Sequence, residues 1–276
     1  MSPNHLIPLP QAAIEINQAH VFLGEALSPI IDINSLRIEY GTRIGLLGPS
    51  GAGKTTLLRV INSHILPTGG ELKVLSNRIT PHAGLNRLSR RKIGFIYQKF
   101  HLIERATVYE NVLWGRLGYI GLTSLLGIFP KYDREIAKAT IAEVSLTNKI
   151  NERVDQLSGG EQQRVGIARA LAQTPSLILA DEPVSNLDPE LSEEILEILV
   201  AASNRHKVTL IMSLHQPELA KKFSSTIIGL NKGKILYNDT PENLTKKSIQ
   251  RIYKRSEPLD LPSDTWGKEN SLISRS

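Results

Sequence analysis

Four short runs of apolar residues predict strands that are buried on both faces. The runs are residues 43–47 (RIGLL), 93–97 (IGFIY), 176–180 (SLILA) and 208–214 (VTLIMSL). They are rich in Ile, Leu and Val and lack the apolar–polar alternation of a half-exposed strand. Helix-like segments separate the runs. This order of elements predicts an α/β fold built on a parallel sheet.

The middle of the chain follows a different pattern. Between Gln98 and Ser158 the strand pattern disappears and helical spacing dominates, most clearly in residues 132–144 (YDREIAKATIAEV). We therefore predict a helical subdomain at about 99–172 within a domain that spans 1–253. Residues 254–276 are polar and contain proline, which predicts a tail outside the packed domain.

Composition narrows the class of protein. The chain has 276 residues and no cysteine, which excludes disulfides and thiolate metal sites. No apolar run reaches the ~20 residues of a membrane-spanning helix, and the first residues lack the pattern of a secretory signal. The longest uncharged run, residues 117–130, fits either a packed helix with its turns or an apolar patch for a membrane partner.

The basic residues behind the net charge of +6 cluster in two segments, 87–92 and 244–256. An excess of positive charge suits nucleic acid, anionic lipid or a surface that contacts only water. We interpret both segments as solvated faces.

Residues 48–55 match the phosphate-binding pattern G-x-x-x-x-G-K-[ST], between a predicted strand and a predicted helix. Glycines let backbone N–H groups approach phosphate oxygens, and the helix N-terminus adds partial positive charge. Lys54 can reach the β- and γ-phosphates, and the Thr55 hydroxyl can ligate Mg²⁺. The predicted nucleotide-binding residues of this loop are Gly48, Pro49, Ser50, Gly51, Ala52, Gly53, Lys54, Thr55 and Thr56.

Polar residues that follow the other predicted strands indicate a hydrolytic site. Asp181 and Glu182 come directly after residues 176–180. We expect Asp181 to hold Mg²⁺ and Glu182 to orient and polarise an attacking water. Gln98 and His215 follow two further strands, and ligands bind beyond the carboxyl ends of parallel strands, so both are expected near the γ-phosphate.

Together these motifs resemble the nucleotide-binding subunit of ATP-binding cassette (ABC) transporters. The resemblance covers about 14–253 and keeps the family's order: the P-loop GPSGAGKT, the Q-loop Gln98, the signature LSGGEQQRVGIARAL at 157–171, the strand LILADEP, the D-loop SNLD at 185–188 and the switch His215. It implies a P-loop NTPase with a RecA-like parallel-sheet core, a small N-terminal antiparallel β part and the helical subdomain. It implies ATP and Mg²⁺ as cofactors, with Thr55, Gln98 and Asp181 as metal ligands and Glu182, His215 and Gln98 as catalytic residues.

The resemblance also implies a head-to-tail homodimer with ATP at its interface. Ser158, Gly159 and Gly160 of one copy would close over the ATP that the P-loop of the other copy holds, supported by a helix N-terminus. Asp188 of the D-loop is counted among the nucleotide-binding residues. An aromatic residue near the N-terminus should stack on adenine; Phe22 is our candidate, with His20 as the alternative.

Three further stretches, ENVLWGRLG, HQPELAKKF and LTKKSIQRIY, are similar to the ATPases of phosphonate importers. This closer resemblance implies uptake of phosphonates or phosphite, with the chain docked on a permease at the cytoplasmic face of the cell (inner) membrane. A periplasmic or extracellular binding protein would be an indirect partner. The alternative is an importer ATPase for phosphate or amino acids.

A soluble nucleic-acid-associated ABC ATPase is a less favoured alternative. Repair enzymes of the family insert a long coiled coil between the P-loop and the signature, and translation factors carry two cassettes. Here no such insertion occurs and each motif appears once. We therefore expect no nucleic acid partner.

Overall fold

The computed structural model describes residues 12–22, 24, 27–98, 100–120 and 128–254. Residues 255–276 of the predicted tail and residues 121–127 of the apolar run lie outside this range. The strands are β1 (Ala12–Val21), β2 (Ile31–Glu39), β3 (Arg43–Leu47), β4 (Gly69–Val74), β5 (Asn77–Ile79), β6 (Ile93–Ile96), β7 (Leu177–Ala180), β8 (Thr209–Ser213), β9 (Thr226–Asn231) and β10 (Lys234–Asp239).

Helices connect most of these strands. They are α1 (Lys54–Ile61), α2 (Arg87–Arg90), α3 (Val108–Leu113), α4 (Lys131–Glu143), α5 (Gly159–Ala172), α6 (Pro189–His206), α7 (Pro217–Phe223) and α8 (Lys246–Tyr253). Short 3-10 helices lie at Trp114–Tyr119, Thr147–Lys149, Val154–Gln156 and Pro241–Asn243. Within the described ranges, no helix is both long enough and apolar enough to cross a membrane.

A six-stranded sheet with the order β10-β9-β3-β8-β7-β6 forms the centre of the molecule. The strands from β9 to β6 pair in parallel, and β10 pairs antiparallel with β9 at the edge. The four predicted strands are β3, β6, β7 and β8. The parallel core predicted from their apolar sequences is confirmed, and two strands are added to it: the parallel β9 and the antiparallel edge strand β10.

The sheet is covered on both faces, which explains why its strands show no apolar–polar alternation. In β7, Ile178 and Ala180 pack with the helices α3 to α6. Leu177 and Leu179 face the other side and pack against α1 and the first sheet of the chain. Each residue of this strand is therefore buried, whichever face it points to.

The first sheet is the small antiparallel part that the family resemblance implied. Its order is β2-β1-β4-β5, and all its pairings are antiparallel. Its apolar side chains join α1 and one face of the central sheet in a single core.

A buried ion pair joins the helices between β6 and β7. Arg116, in the 3-10 helix after α3, donates through Nε to Asp133 of α4 at 2.7 Å, and both side chains are almost fully buried. Its guanidinium also donates to the Ala172 carbonyl at the end of α5, at 2.8 Å. One residue thus connects α3, α4 and α5. The predicted boundary of a helical subdomain at 99–172 stays a prediction.

Candidate active site

The glycine-rich loop lies where its sequence context predicts, between β3 and α1. A methyl group at Gly48 would lie 2.1 Å from the Leu230 carbonyl oxygen, so no other residue fits this close approach to β9. Gly53 has a φ of 102° and stands directly before the helix, a left-handed conformation that favours glycine. A side chain at Gly51 would meet no atom within 4 Å. The loop is therefore tightly held at its base and open at its tip.

Lys54 is buried and turns back over its own loop. Its Nζ donates to the carbonyl oxygens of Gly48 and Pro49, at 2.7 and 3.1 Å. Burial lowers the pKa of this amine, and the negative charges of Glu182 and Asp181 oppose that change. The ammonium group is thus fixed inside the loop and close to both carboxylates.

Asp181 is a buried carboxylate that receives two hydroxyl hydrogen bonds. Thr55 of α1 and Ser213 of β8 each donate to its Oδ1 at 3.0 Å. Burial raises the pKa of Asp181, and the two hydroxyl groups oppose the rise. The candidate metal ligands Thr55 and Asp181 are therefore in direct contact.

Glu182 contacts both of the other predicted catalytic residues. Gln98 Nε2 donates to its Oε2 at 2.8 Å, and His215 Nε2 lies 2.7 Å from its Oε1. Its backbone φ is 49°, in the left-handed region that a residue other than glycine adopts rarely. Its amide N–H donates to the Ser213 hydroxyl at 2.7 Å, which helps to hold this conformation. The structure brings Gln98, Glu182 and His215 together around one carboxylate.

Ser213 is a member of this network that the sequence analysis missed. Its hydroxyl accepts from the Glu182 amide and donates to the Asp181 carboxylate, so it joins the two acids. Ser213 is fully buried at the last position of β8. The signal was present in the sequence, as a hydroxyl residue ending an otherwise apolar strand two positions before His215.

Ser158 caps the signature helix α5 in a capping box with Glu161. Its hydroxyl accepts from the Glu161 amide at 3.3 Å, and Glu161 in return accepts from the Ser158 amide at 2.9 Å. Lys149 contacts Glu161 at 2.8 Å, and this bond is the main reason that the pKa of Glu161 is lowered. Gly160 packs tightly, since a methyl group there would lie 2.5 Å from the Leu191 side chain. Ser158 and Gly159 are exposed at the start of the helix.

The remaining candidates are Phe22, His20 and Asp188. Phe22 follows β1 directly and is 40% exposed. The carbonyl of its neighbour Val21 accepts a hydrogen bond from the Ile30 amide. The Ile30 carbonyl oxygen lies close to the P-loop, since a methyl group at Gly53 would be 3.0 Å from it. Ile30 thus connects the end of β1, next to Phe22, with the base of the P-loop.

The other two candidates have partners of their own. His20 contacts Asp32 at 3.0 Å, which ties its ring to β2. Asp188 accepts from the Leu191 amide at 2.9 Å as the cap of α6. Part of each side chain's polar capacity is therefore already used within the fold.

The residues present suit ATP and Mg²⁺. Mg²⁺ prefers oxygen ligands and usually completes its shell with waters and substrate phosphates, so few protein ligands are needed. Thr55 and Asp181 supply such oxygens at the first turn of α1, beside the buried ammonium of Lys54. The exposed Ser50 and Gly51 leave the tip of the loop accessible to phosphate oxygens.

Comparison with known proteins agrees with this geometry. The fold, with its glycine-rich loop between a parallel strand and a helix, is that of P-loop ATPases of the cassette type. Residues 31–185 match the family model described as ABC transporter. The chain belongs to the ABC transporter family.

Individual relatives support the same assignment. A phosphonates import ATP-binding protein of Trichodesmium erythraeum is 46% identical over 81% of this chain and 86% of its own length. A phosphite import ATP-binding protein of Stutzerimonas stutzeri is 39% identical over 93% of this chain and 94% of its own. Among solved structures, a dimeric bacterial ABC transporter cassette is 32% identical, with a TM-score of 0.70 over 84% of this chain and all of the other.

Replacing Ser213 by Ala should disturb both acids at once. It leaves a buried amide and a buried carboxylate each without one hydrogen bond, which costs about 1–3 kcal/mol of unfolding free energy. We also expect hydrolysis to require more Mg²⁺, because Asp181 loses one of its two hydroxyl donors. Denaturant unfolding and a Mg²⁺ titration of the ATPase rate measure the two effects.

Ser203→Ala is the matched control. Ser203 of α6 is also a buried serine, but its hydroxyl donates to the carbonyl of Val208, just before β8, at 2.8 Å. This variant should lose stability and keep the Mg²⁺ dependence of the wild type. An unchanged Mg²⁺ dependence in Ser213→Ala would show that the hydroxyl does not organise the metal ligand.

Proposed function

We propose that this chain is the ATP-hydrolysing subunit of an importer of phosphonates or phosphite. The observation that carries the ATPase function is the continuous polar network from the P-loop to His215. It contains Thr55, Asp181, Ser213, Glu182, Gln98 and His215, joined by contacts of 2.7–3.0 Å. The printed names of the phosphonate and phosphite import relatives support the substrate class.

Each residue of the network has a chemical role in this proposal. Lys54 binds the β- and γ-phosphates, and Thr55 and Asp181, with Gln98, hold Mg²⁺, which neutralises phosphate charge when bound. Glu182 accepts a hydrogen bond from the attacking water and polarises it. His215 and Gln98 fix the Glu182 carboxylate from two sides. Burial of the site strengthens these charge interactions.

The proposal includes a head-to-tail dimer of two copies of the chain. The exposed Ser158 and Gly159 lie at the N-terminus of the 14-residue helix α5, whose partial positive charge suits a phosphate of the partner's ATP. A related cassette has been solved as a dimer in a post-hydrolysis state bound to ADP and Pi; it is 30% identical, with a TM-score of 0.70. ATP at such an interface makes association depend on the state of the nucleotide.

A permease is the proposed membrane partner, and a groove beside the helices α3 to α5 is its proposed docking site. Two adjoining cavities of about 410 and 420 Å³ share Arg90, Arg169 and Gln173 in their linings. The first cavity is also lined by Arg87, Arg91, Trp114 and Tyr119. Within the described ranges, no acidic residue lines either cavity. This combination of arginines and aromatics favours a partner segment that carries carboxylates.

The uncharged run at 117–130 also contributes exposed apolar residues. Leu117 is 40% exposed and Ile128 is 60% exposed, whereas Ile120 and Phe129 of the same uncharged run are buried. The described part of the run therefore contains both buried and exposed apolar residues. A permease would hold the chain at the cytoplasmic face of the membrane, and a binding protein outside would deliver the substrate.

Glu182→Gln tests the catalytic part of the proposal. The variant keeps the shape of the side chain but loses the base, so the ATPase rate should fall by about 10²–10⁴-fold while ATP binding persists. ATP should then accumulate a dimer, measured by size-exclusion chromatography. Ser158→Arg in the same background should abolish that dimer without abolishing ATP binding.

The control for this experiment is Glu193→Gln. Glu193 lies on the exposed side of α6, paired with Lys222, and its change should leave hydrolysis unaltered. A Glu182→Gln protein that hydrolyses ATP at the normal rate would refute the role of Glu182. Persistence of the dimer with Ser158→Arg would refute the composite nucleotide site.

Arg90→Glu tests the groove. Arg90 lines both cavities and is exposed, so reversing its charge should repel an acidic partner segment without disturbing the nucleotide site. We expect the tagged chain to lose its permease during purification from solubilised membranes of the source organism. ATP binding by the isolated chain should not change.

Arg78→Glu provides the matched charge reversal on the first sheet, where Arg78 makes an exposed contact with Glu71. This variant should keep the permease. Equal recovery of permease with both variants would show that the partner docks elsewhere.

Growth of the source organism tests the substrate class. A deletion strain should fail on a phosphonate or phosphite as sole phosphorus source and grow normally on phosphate. Wild-type chain should restore growth, and Glu182→Gln should not. Normal growth of the deletion strain on both reduced-phosphorus sources, in a strain without a second copy of the gene, would discard the substrate assignment and leave the ATPase function intact.

A further inference from the structure

The last described helix reaches back to the active site. Tyr253, at the end of α8, donates from its hydroxyl to the His215 carbonyl oxygen at 2.9 Å. Tyr253 belongs to the basic C-terminal segment, which the sequence analysis interpreted as a solvated face. Its exposed Lys246, Lys247 and Arg251 fit that interpretation, but Tyr253 does not.

The position of Tyr253 is fixed by contacts on both sides of it. Ile252 is fully buried and packs against β9, where Gly229 leaves room for it; a methyl group at Gly229 would lie 2.5 Å from the Ile252 side chain. Asn231 donates to the carbonyl oxygens of Ile252 and Lys254, at 2.8 and 3.1 Å. The hydrogen bond to His215 is therefore anchored to the central sheet.

The Tyr253 hydroxyl is a donor at neutral pH. Burial raises the pKa of this phenol above its ordinary value, so the group keeps its proton. The Gly48 backbone opposes the rise. The protonated hydroxyl is therefore available to donate to the His215 carbonyl oxygen.

His215 lies in the short loop between β8 and α7. The strand β8 ends at Ser213 and α7 begins at Pro217. The Leu214 amide donates to the Leu46 carbonyl at 3.0 Å, which fixes the chain just before the histidine. The imidazole itself is 43% exposed and contacts Glu182. A bond to its carbonyl limits rotation of the backbone that aims the ring.

We propose that Tyr253 is a positioning residue that holds His215 in its contact with Glu182, so that the C-terminal helix forms part of the hydrolytic site. This inference rests on the proposed ATPase function and is independent of the transported ligand.

Tyr253→Phe is the test, because it removes one hydroxyl and leaves the ring. The kcat for ATP hydrolysis by the isolated chain should fall by about 3- to 10-fold, the effect of one neutral hydrogen bond, with KM for ATP unchanged. Tyr237→Phe is the matched control. Tyr237 lies on β10, the strand next to β9, and its hydroxyl donates to the Thr240 carbonyl at 3.0 Å. Its kcat should equal that of the wild type.

Two further measurements separate positioning from a general structural effect. In a His215→Ala background, Tyr253→Phe should cause no additional loss of kcat, measured by single-turnover phosphate release. In NMR spectra of histidine-labelled protein, the ring signals of His215, assigned by their absence in His215→Ala, should shift in Tyr253→Phe and stay in place in Tyr237→Phe.

The proposal is overturned by an unchanged kcat together with unchanged His215 ring signals. It is also overturned by an equal fractional loss of kcat with and without His215, since Tyr253 would then act through another group. If the wild-type chain hydrolyses no ATP, the proposed function fails, and the ring signals still decide whether Tyr253 positions His215.

Discussion

Parallel pairing of β3, β8, β7 and β6 is the constraint on which the site depends. In this register Leu46 pairs with Ser213, Met212 with Ala180, and Ala180 with Ile96. The strands therefore end nearly level, and the residues that follow them come to one edge of the sheet. Because both faces of the sheet are covered by apolar residues, this edge is the place where the strands can present polar groups.

Buried charge is the second property of the site. Burial lowers the pKa of Lys54 and raises that of Asp181, so the protein interior disfavours the charged form of each. The hydroxyl groups of Thr55 and Ser213 offset part of this cost for the aspartate. Phosphate groups and a divalent cation would supply the missing opposite charges. The site is thus held in shape by its own hydrogen bonds and suited electrostatically to a charged nucleotide.

The helix α5 connects the signature to the proposed docking groove. It begins after Ser158, and near its other end Arg169 donates to the carbonyl oxygens of Phe100 and His101, at 2.8 and 2.6 Å. These carbonyls follow Gln98 closely in the chain, and Arg169 also lines both cavities. The helix α5 therefore connects the residues proposed to contact the partner's nucleotide with the loop after Gln98 and with the proposed docking groove.

The sequence by itself determined the parallel core, the P-loop and the family, because each depends on residue types at fixed local spacing. The strand-end rule also predicted that Gln98, Glu182 and His215 lie near one another, and Gln98 and His215 both contact Glu182. Only the tertiary structure revealed Ser213 and Tyr253. Ser213 joins two acids from a neighbouring strand, and Tyr253 reaches His215 across 38 residues of sequence. Strand register and helix packing set such contacts: the sequence shows Ser213 as a polar strand end, but it does not show which groups either residue reaches.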